Sequence, residues 1–433
     1  MKKPVKIILI IVSVILIIIG TLFIIYRSTS PQKDVTKNPV ATLPTHSVMD
    51  KDKAIEDLEY ILTKFKEKHV MTVDEIPEVV KLQYAKEIDT LSDKPTVLEV
   101  WQASNRILST IHDGHTKVRN YVENPRVLPL QFEYIDNQLV CMSGDYNGYV
   151  VQEINGIDTQ TLYQTFQSQF SYEMESYVQY NFANVLPLEH YLQFIGIDTK
   201  ENVTFTFNKN GQAITKTFSF EETNENNPLA PTTLFEMTID QGASLGIFTL
   251  NQCESTDEYK DALEEFFTIV KEKNIQNVAI DLRQNTGGTT QVIIDFMQYI
   301  DVPSYYIFGD VDVRRGKFVI HNESGAINNA LDNGIRFQGK LYALTSTKTF
   351  SAAMDFATTI QDNKIGELIG DIPGNMPTCY GDVLEYQLPN SKLLLRVSYK
   401  KFYRVDEGKL EEPLIPIHEV KADKAMEKLY EII

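Results

Sequence analysis

Three short segments, far apart in the chain, carry the residue types that acyl transfer needs. They are Thr345-Ser-Thr-Lys-Thr-Phe-Ser-Ala-Ala-Met-Asp-Phe-Ala357, Asp281-Leu-Arg-Gln-Asn-Thr-Gly-Gly288 and Asp113-Gly-His-Thr116. In the first, the apolar strand Leu341 to Leu344 runs into a polar turn. Met354, Phe356, Ala357 and Ile360 then space a helix that begins near Ala352. Ser351 stands between a strand end and a helix N-terminus, where unpaired N–H groups and the helix dipole stabilise an alkoxide or tetrahedral oxyanion. A serine in that place also reads as a helix N-cap. The paired glycines allow close backbone approach and expose successive N–H groups, so Gly287 and Gly288 could donate to an oxyanion together with the Ala352 N–H. A tight strand-to-helix turn explains the same pair. No Gly-Lys-Ser/Thr follows, which excludes a phosphate loop.

A serine nucleophile needs a base within hydrogen-bond reach. The histidines and Lys348, three residues before Ser351, supply the choices. His115 is preferred over His112, His190, His321 and His418 because Gly114 ends a helix there and leaves it on a loop. Spacing alone does not decide between them. An esterase or lactam hydrolase would use the same parts, but there is no Gly-x-Ser-x-Gly elbow, and Ser351-Ala-Ala-Met354 breaks the Ser-x-x-Lys motif.

The elements that must position these residues follow from periodicity. Ala54, Ile55, Leu58, Ile61, Leu62 and Phe65 share one helical face, and a second helix from Val97 to Ile111 runs into the Asp113 segment. Residues 126–234 form a strand-rich module with a hairpin at Asn210-Gly211 and helical stretches at 162–170 and 177–194. From Ser244 strands and helices alternate: strand 245–250, helix 259–273, strand 277–282, helix 292–300, strand 341–344 and the helix after Ser351. This predicts an α/β layer with at least three roughly parallel strands, extended by strands at 383–388 and 393–398. In such sheets sites form beyond the carboxyl ends of the strands, where two of the three motifs fall.

The 433 residues suffice for two or three domains. Ile7 to Tyr26 is an uncharged run of twenty, preceded by Lys2, Lys3 and Lys6, which predicts an uncleaved signal anchor with everything after Arg27 outside. Residues 28–49, with three prolines and many hydroxyls, predict an extended tether of up to about 70 Å, with His46 solvated. Setting aside the four cations of residues 1–27 takes the net charge from −18 to −22, which makes the remainder a poor candidate for nucleic acid or anionic lipid. Cys141, Cys253 and Cys379 fit no metal spacing and are odd in number, so buried free thiols are expected. No metal or cofactor is implied.

Thr349-Phe-Ser-Ala-Ala353, the Asp281 and Asp113 segments and Gly370-Asp-x-Pro-Gly374 together resemble the C-terminal-processing (tail-specific) and tricorn-core serine peptidase family. Leu388-Pro-Asn-Ser391, Val397-Ser398 and Glu412-Pro413 with Pro416 fit as well. The resemblance covers roughly residues 50–433 and is best over about 235–420. It implies an α/β crotonase-like (ClpP/crotonase) core, a peptide substrate, a serine acyl-enzyme and an inserted PDZ-like domain able to bind substrate C-termini. The tail-specific version carries a lysine in a Gly-Lys-Gly segment beyond the nucleophile's helix; Gly370-Asp-Ile-Pro-Gly-Asn-Met-Pro377 has none, so this is a variant lacking the Ser-Lys dyad lysine. The tricorn version uses an early Ser-His pair and a late Glu. His115 matches that histidine, Gly114 stands where the serine would be, and Glu412, or less closely Glu411, matches the late acid. The resemblance thus implies Ser351 as nucleophile, His115 as base, Gly287, Gly288 and Ala352 as oxyanion donors, and Glu412 as orienter.

The expected organisation is a cytoplasmic tip and transmembrane helix (1–27), a flexible linker (28–49), an N-terminal helical region (50–125), the PDZ-like module (126–234) and the catalytic core (235–433). The expected function is a single-pass, extracytoplasmic serine endopeptidase acting on peptides or proteins. A binding protein on the same fold that has lost catalysis is the alternative.

Overall fold

The computed structural model describes residues 12, 14–21, 26–27, 29–223, 229, 231, 233–329 and 334–433. Much of the apolar run 7–26 lies outside the described residues. Positions 12, 14–21 and 26–27 are helical, and among the described residues no helix is long and apolar enough to cross a membrane.

Three helices follow from residue 51 onward. α1 (Lys51–Lys68) buries Ala54, Leu58, Ile61 and Phe65, and α3 (Val97–Ser109) packs on both α1 and α2 (Glu78–Thr90). α3 starts with a capping box in which Thr96 and Glu99 satisfy each other's orphan backbone donors. After a turn with His112 at φ 52°, the chain returns as β1 (Lys117–Arg119). Side chains of α3 clamp that strand: Trp101 Nε1 and Asn105 Nδ2 both donate to the Val118 carbonyl at 2.9 Å, and Asn105 Oδ1 accepts the Val118 N–H.

The segment expected to be a free tether instead lies along the protein from Thr36 onward. Thr36, Thr42, Leu43 and Met49 donate their N–H groups to the carbonyls of Glu385, Tyr121, Ser391 and Pro95, and Gln387 brackets the Val40 peptide with its side-chain amide. The polarity that reads as solvation is used here to pair backbone groups.

Residues 132–218 form an antiparallel sheet. Its strands are β2 (Phe132–Ile135), β3 (Gln138–Cys141), β4 (Tyr149–Ile154), β5 (Val203–Lys209) and β6 (Gln212–Phe218), hydrogen-bonded in that order. Asn210 and Gly211, at φ 54° and 84°, make the tight turn between β5 and β6. α4 (Thr159–Ser168), α5 (Glu175–Val185) and α6 (Glu189–Phe194) accompany the sheet. The single helical stretch expected over 177–194 is two helices, because Pro187 cannot continue the first.

The C-terminal half contains a six-stranded sheet and most of a five-stranded one. Its strands are β7 (Phe235–Asp240), β8 (Leu245–Leu250), β9 (Asn277–Asp281), β10 (Val311–Arg315), β11 (Phe318–Asn322), β12 (Lys340–Thr345), β13 (Gly366–Gly370), β14 (Cys379–Gln387), β15 (Leu394–Phe402) and β16 (His418–Glu419). The six-stranded sheet runs β7-β8-β9-β12-β13-β16, parallel throughout except for the β7–β8 pair. Helices α7 (Asp257–Glu272), α8 (Gln291–Met297) and α9 (Ala352–Asp362) cover one face and α10 (Ala425–Ile432) the other. Covered on both faces, β9 is buried at every residue, which its unbroken apolar run Val278-Ala-Ile280 requires.

The strands expected to extend this sheet belong to the other one. β14 pairs with β15, and β15 also pairs with β1 and with β10 of the β10–β11 hairpin. An edge that looks like a continuation in sequence is thus the seat for β1, and it draws the Asp113 segment against the C-terminal half.

Candidate active site

Parallel pairing of β9 with β12, with Asp281 opposite Leu344, makes both chains leave the sheet at the same end. Side chains of the Ser351 turn then tie it to the glycine loop. Thr349 Oγ1 donates to the Leu282 carbonyl and Ser346 Oγ to that of Arg283, while the Phe350 N–H donates to the Asn285 carbonyl. Arg283 is engaged elsewhere, holding Asp281 by two bonds of 2.9 and 2.7 Å and the Ala422 carbonyl by a third. The Asp-Leu-Arg part of the motif is therefore a brace.

Ser351 occupies the N-cap position of α9, but its side chain makes no capping hydrogen bond. Its backbone lies at φ 56°, ψ −128°, a region that favours glycine. The Ser351 N–H, donated to Asn375 Oδ1 at 2.8 Å, holds it there. A Cβ added at Gly287 would stand 2.7 Å from Ser351 Cβ and from the Phe350 carbonyl oxygen, and 3.2 Å from the Ala352 nitrogen, so glycine is what lets the loop close on the serine. Gly287→Ala is expected to lower peptide hydrolysis at least about 100-fold by displacing Ser351; kcat/KM on a model peptide, with circular dichroism to check folding, would measure it.

The oxyanion donors need one correction. The Gly287 N–H is already donated to Asn285 Oδ1 at 2.9 Å, so it is not free. The Gly287 carbonyl accepts from the Cys253 N–H and from Gln252 Nε2. In a trans peptide the Gly288 N–H points the opposite way, and it has no hydrogen-bond partner among the described residues. The Ala352 N–H, at the first position of α9, is likewise unpaired among them. Gly288 and Ala352 are the two donors with capacity to spare.

His115 is brought to the residue before the serine. Its ring lies 4.7 Å from that of Phe350, which stacks on Tyr177 at 4.1 Å. Both ring nitrogens of His115 are buried and without a hydrogen-bond partner. Burial, helped by the charges of Lys117 and Arg396 and opposed by Asp113, lowers its pKa to about 4. The ring is neutral at pH 7 and able to accept a proton.

Asp113 is the carboxylate that faces it. Asp113 Oδ1 accepts the His115 N–H at 2.9 Å and lies 3.8 Å from His115 Nδ1. Asp113 Oδ2 accepts from Thr116 Oγ1 at 2.5 Å and pairs with His69 Nε2 at 3.1 Å. His69 Nδ1 accepts the Met71 N–H, so in the neutral ring Nε2 carries the proton and donates to Asp113. Burial alone would raise the Asp113 pKa; the hydrogen bonds from His69 and Thr116 outweigh it and hold the group well below the usual carboxylate range. Glu173 completes the group, accepting the Gly114 and Met376 N–H groups at 3.1 and 3.3 Å. Its burial, with the Asp113 charge nearby, pushes its pKa up to about 8. His115 and Glu173 are both driven to their neutral forms, the signature of a site sheltered from water. Asp113, His115 and Glu173 each offer a ligand atom, and these atoms lie within 4.8 Å of one another.

One further expectation changes. Glu412 is exposed; its backbone carbonyl accepts from Arg404, and its carboxylate makes no hydrogen bond or ion pair among the described residues, so it does not orient His115. The Pro413 turn directs it to solvent, and Asp113, two residues before the histidine, is in place instead. Lys348 is bound to Gln284 Oε1 and lies 3.5 Å from Glu133, away from a role as base. The sequence reading missed His69 and Glu173. His69 follows the end of an amphipathic helix, and Glu173 sits between two aromatic-rich helices; neither position carries a local signal. The cysteines are free and buried, as expected.

Residues 244–420 match the family model described as peptidase family S41. The chain matches no curated protein. Among solved structures it is similar to mature CPAF complexed with lactacystin (11% identity, TM-score 0.64, covering 88% of this chain and 96% of that one). It is also similar to mature CPAF (10%, 0.65, 88% and 95%), and more distantly to the photosystem II D1 C-terminal processing protease (14%, 0.49, 88% and 97%). The CPAF likeness is one of fold. Since the matched stretch contains both the glycine loop and Ser351, residues 244–420 are matched as a peptidase family S41 domain, which supports a serine peptidase.

Proposed function

We propose that this protein is a membrane-anchored, extracytoplasmic serine endopeptidase in which Ser351 forms the acyl-enzyme and His115 is the general base. One observation carries the catalytic reading: the Ser351 side chain is not used as a cap, and His115, packed on the residue before it, has both ring nitrogens without a hydrogen-bond partner.

In this reading Ser351 Oγ attacks the scissile carbonyl while His115 takes its proton. With Nδ1–H turned to Asp113, Nε2 is the accepting atom, and the imidazolium that forms is stabilised by the Asp113 charge. The N–H groups of Gly288 and Ala352 stabilise the oxyanion. His115 then protonates the leaving amine, and water, activated by the same nitrogen, releases the peptide acid. The core is read as crotonase-like and residues 126–234 as a PDZ-like module that presents the peptide. Lys348, reaching Glu133 and the Tyr180 ring, links that module to the serine turn. The anchor rests on the run Ile7–Tyr26 and its flanking lysines.

The test is labelling of full-length protein by a fluorophosphonate probe, beside Ser351→Ala and His115→Ala. The wild type should label and both variants should lose most or all of the signal; normal labelling of His115→Ala would move the base elsewhere. Because the His115 pKa is about 4 rather than near 6.5, the acid limb of kcat/KM should lie near pH 4–5. An acid limb at pH 6–7 would contradict that assignment.

A further inference from the structure

Lys117 on β1 stands directly opposite Arg396 on β15, and Arg119 follows two residues on, on the same face of the strand. Like charges placed opposite each other on antiparallel strands are destabilising. Direct pairing compensates little of it. Lys117 and Arg119 make no ion pair or side-chain hydrogen bond among the described residues, although Lys117 lies over the Phe170 ring. The nearest carboxylate oxygen to Arg396 is that of Glu385, 3.8 Å from Nε, and that nitrogen has no hydrogen bond. Burial, then Arg396 and Arg119, bring the Lys117 pKa down to about 7 against the opposing charges of Asp113 and Glu173. A local rule broken with only a partial internal remedy points to a ligand that completes it.

The three cations line one cavity of about 400 Å³. Gln252 and Thr286, on either side of the Gly287 loop, line it too, as does Tyr177, which stacks on Phe350. Among the described residues no aspartate or glutamate lines it, in a chain whose net charge is −18. The cavity therefore opens beside the serine turn and is selectively positive where the protein as a whole is acidic.

We propose that this cavity is a carboxylate subsite, taking an acidic group of the peptide whose bond lies at Ser351. That group is a glutamate or aspartate side chain or the peptide's free C-terminal carboxylate. Two guanidinium forks and an ammonium supply the donors that a planar anion needs, and the volume suits one or two residues. The proposal rests on the peptidase reading for the nature of the ligand.

The two can be tested apart by measuring binding in full-length Ser351→Ala, which cannot turn over. Fluorescent, N-capped hexapeptides in two matched pairs are titrated by anisotropy: free acid against C-terminal amide with no acidic side chain, and Glu against Gln within a C-terminal amide. The acid member of at least one pair should bind about ten-fold tighter or more, and the pair that responds identifies the source of the carboxylate. Adding Arg119→Gln should abolish that preference at unchanged melting temperature, and Arg119→Lys should restore part of it. Should Arg119→Gln misfold, Lys117→Met serves in its place. Equal binding within both pairs, binding by none of the four peptides, or a preference that survives the well-folded substitution would overturn the proposal. Loss of fluorophosphonate labelling in the wild type with the acid preference intact would instead remove the peptidase reading and leave the subsite standing.

Discussion

Replacing Ser351 by alanine is expected to reduce hydrolysis by about 10⁶-fold while leaving stability nearly unchanged. The activity loss follows from removing the hydroxyl placed between the glycine loop and the N-terminus of α9. The stability result follows because the hydroxyl makes no capping bond whose loss would be felt. Glycine at the same position separates chemistry from backbone strain. At φ 56°, ψ −128°, a residue with a Cβ costs about 1–3 kcal/mol, and glycine does not. Against that gain stands the larger entropy glycine loses on folding, about 0.5–1 kcal/mol. Ser351→Gly should thus be as inactive as the alanine variant yet more stable than it by about 1 kcal/mol, measured by urea denaturation. Equal stability of the two would mean that the surrounding bonds, from Asn375 above all, do not hold a strained conformation.

Asp113→Ala should be the most damaging change in the site outside the nucleophile. It removes the acceptor shared by His69, Thr116 and the His115 N–H, all in buried surroundings. Leaving those donors unpaired should cost about 3–5 kcal/mol, and hydrolysis should fall by roughly 10⁴-fold as His115 loses its facing charge. Asp113→Asn keeps the shape and isolates the charge. The sign is fixed by linkage: the folded-state pKa of Asp113 is depressed, so its contribution is present above about pH 3.9 and is lost as pH falls from there toward the lower folded value. Wild-type melting temperature should fall through that acid window more steeply than that of Asp113→Asn. Parallel curves would show that the carboxylate charge is not what stabilises the turn.

The residue types and local periods were sufficient for much of this. A serine between an apolar strand and an amphipathic helix, a glycine pair after a buried strand and a histidine after a helix stop are each legible from a dozen neighbours, because strand, helix and turn preferences act over that range. The same signals give the alternating β/α order from Leu245 to Asp362 and the β5–β6 hairpin. They also place both loops at one end of a parallel sheet, since crossover connections leave little choice.

What local signals could not give was decided by contacts between residues far apart in the chain. That β15 accepts β1, rather than extending the six-stranded sheet, depends on an edge offered some 280 positions later, and it is this pairing that carries His115 toward Ser351. Asp113 as the facing carboxylate, His69 behind it and Glu173 across from it depend on a shared buried volume, as does the neutral state of His115. The docking of residues 36–49 and the exposure of Glu412 were settled by which backbone donors and acceptors remained free once the sheets had formed. Hydrogen-bond satisfaction and burial are properties of the assembled protein, so the chain alone named the nucleophile's segment, and only the fold determined what surrounds it.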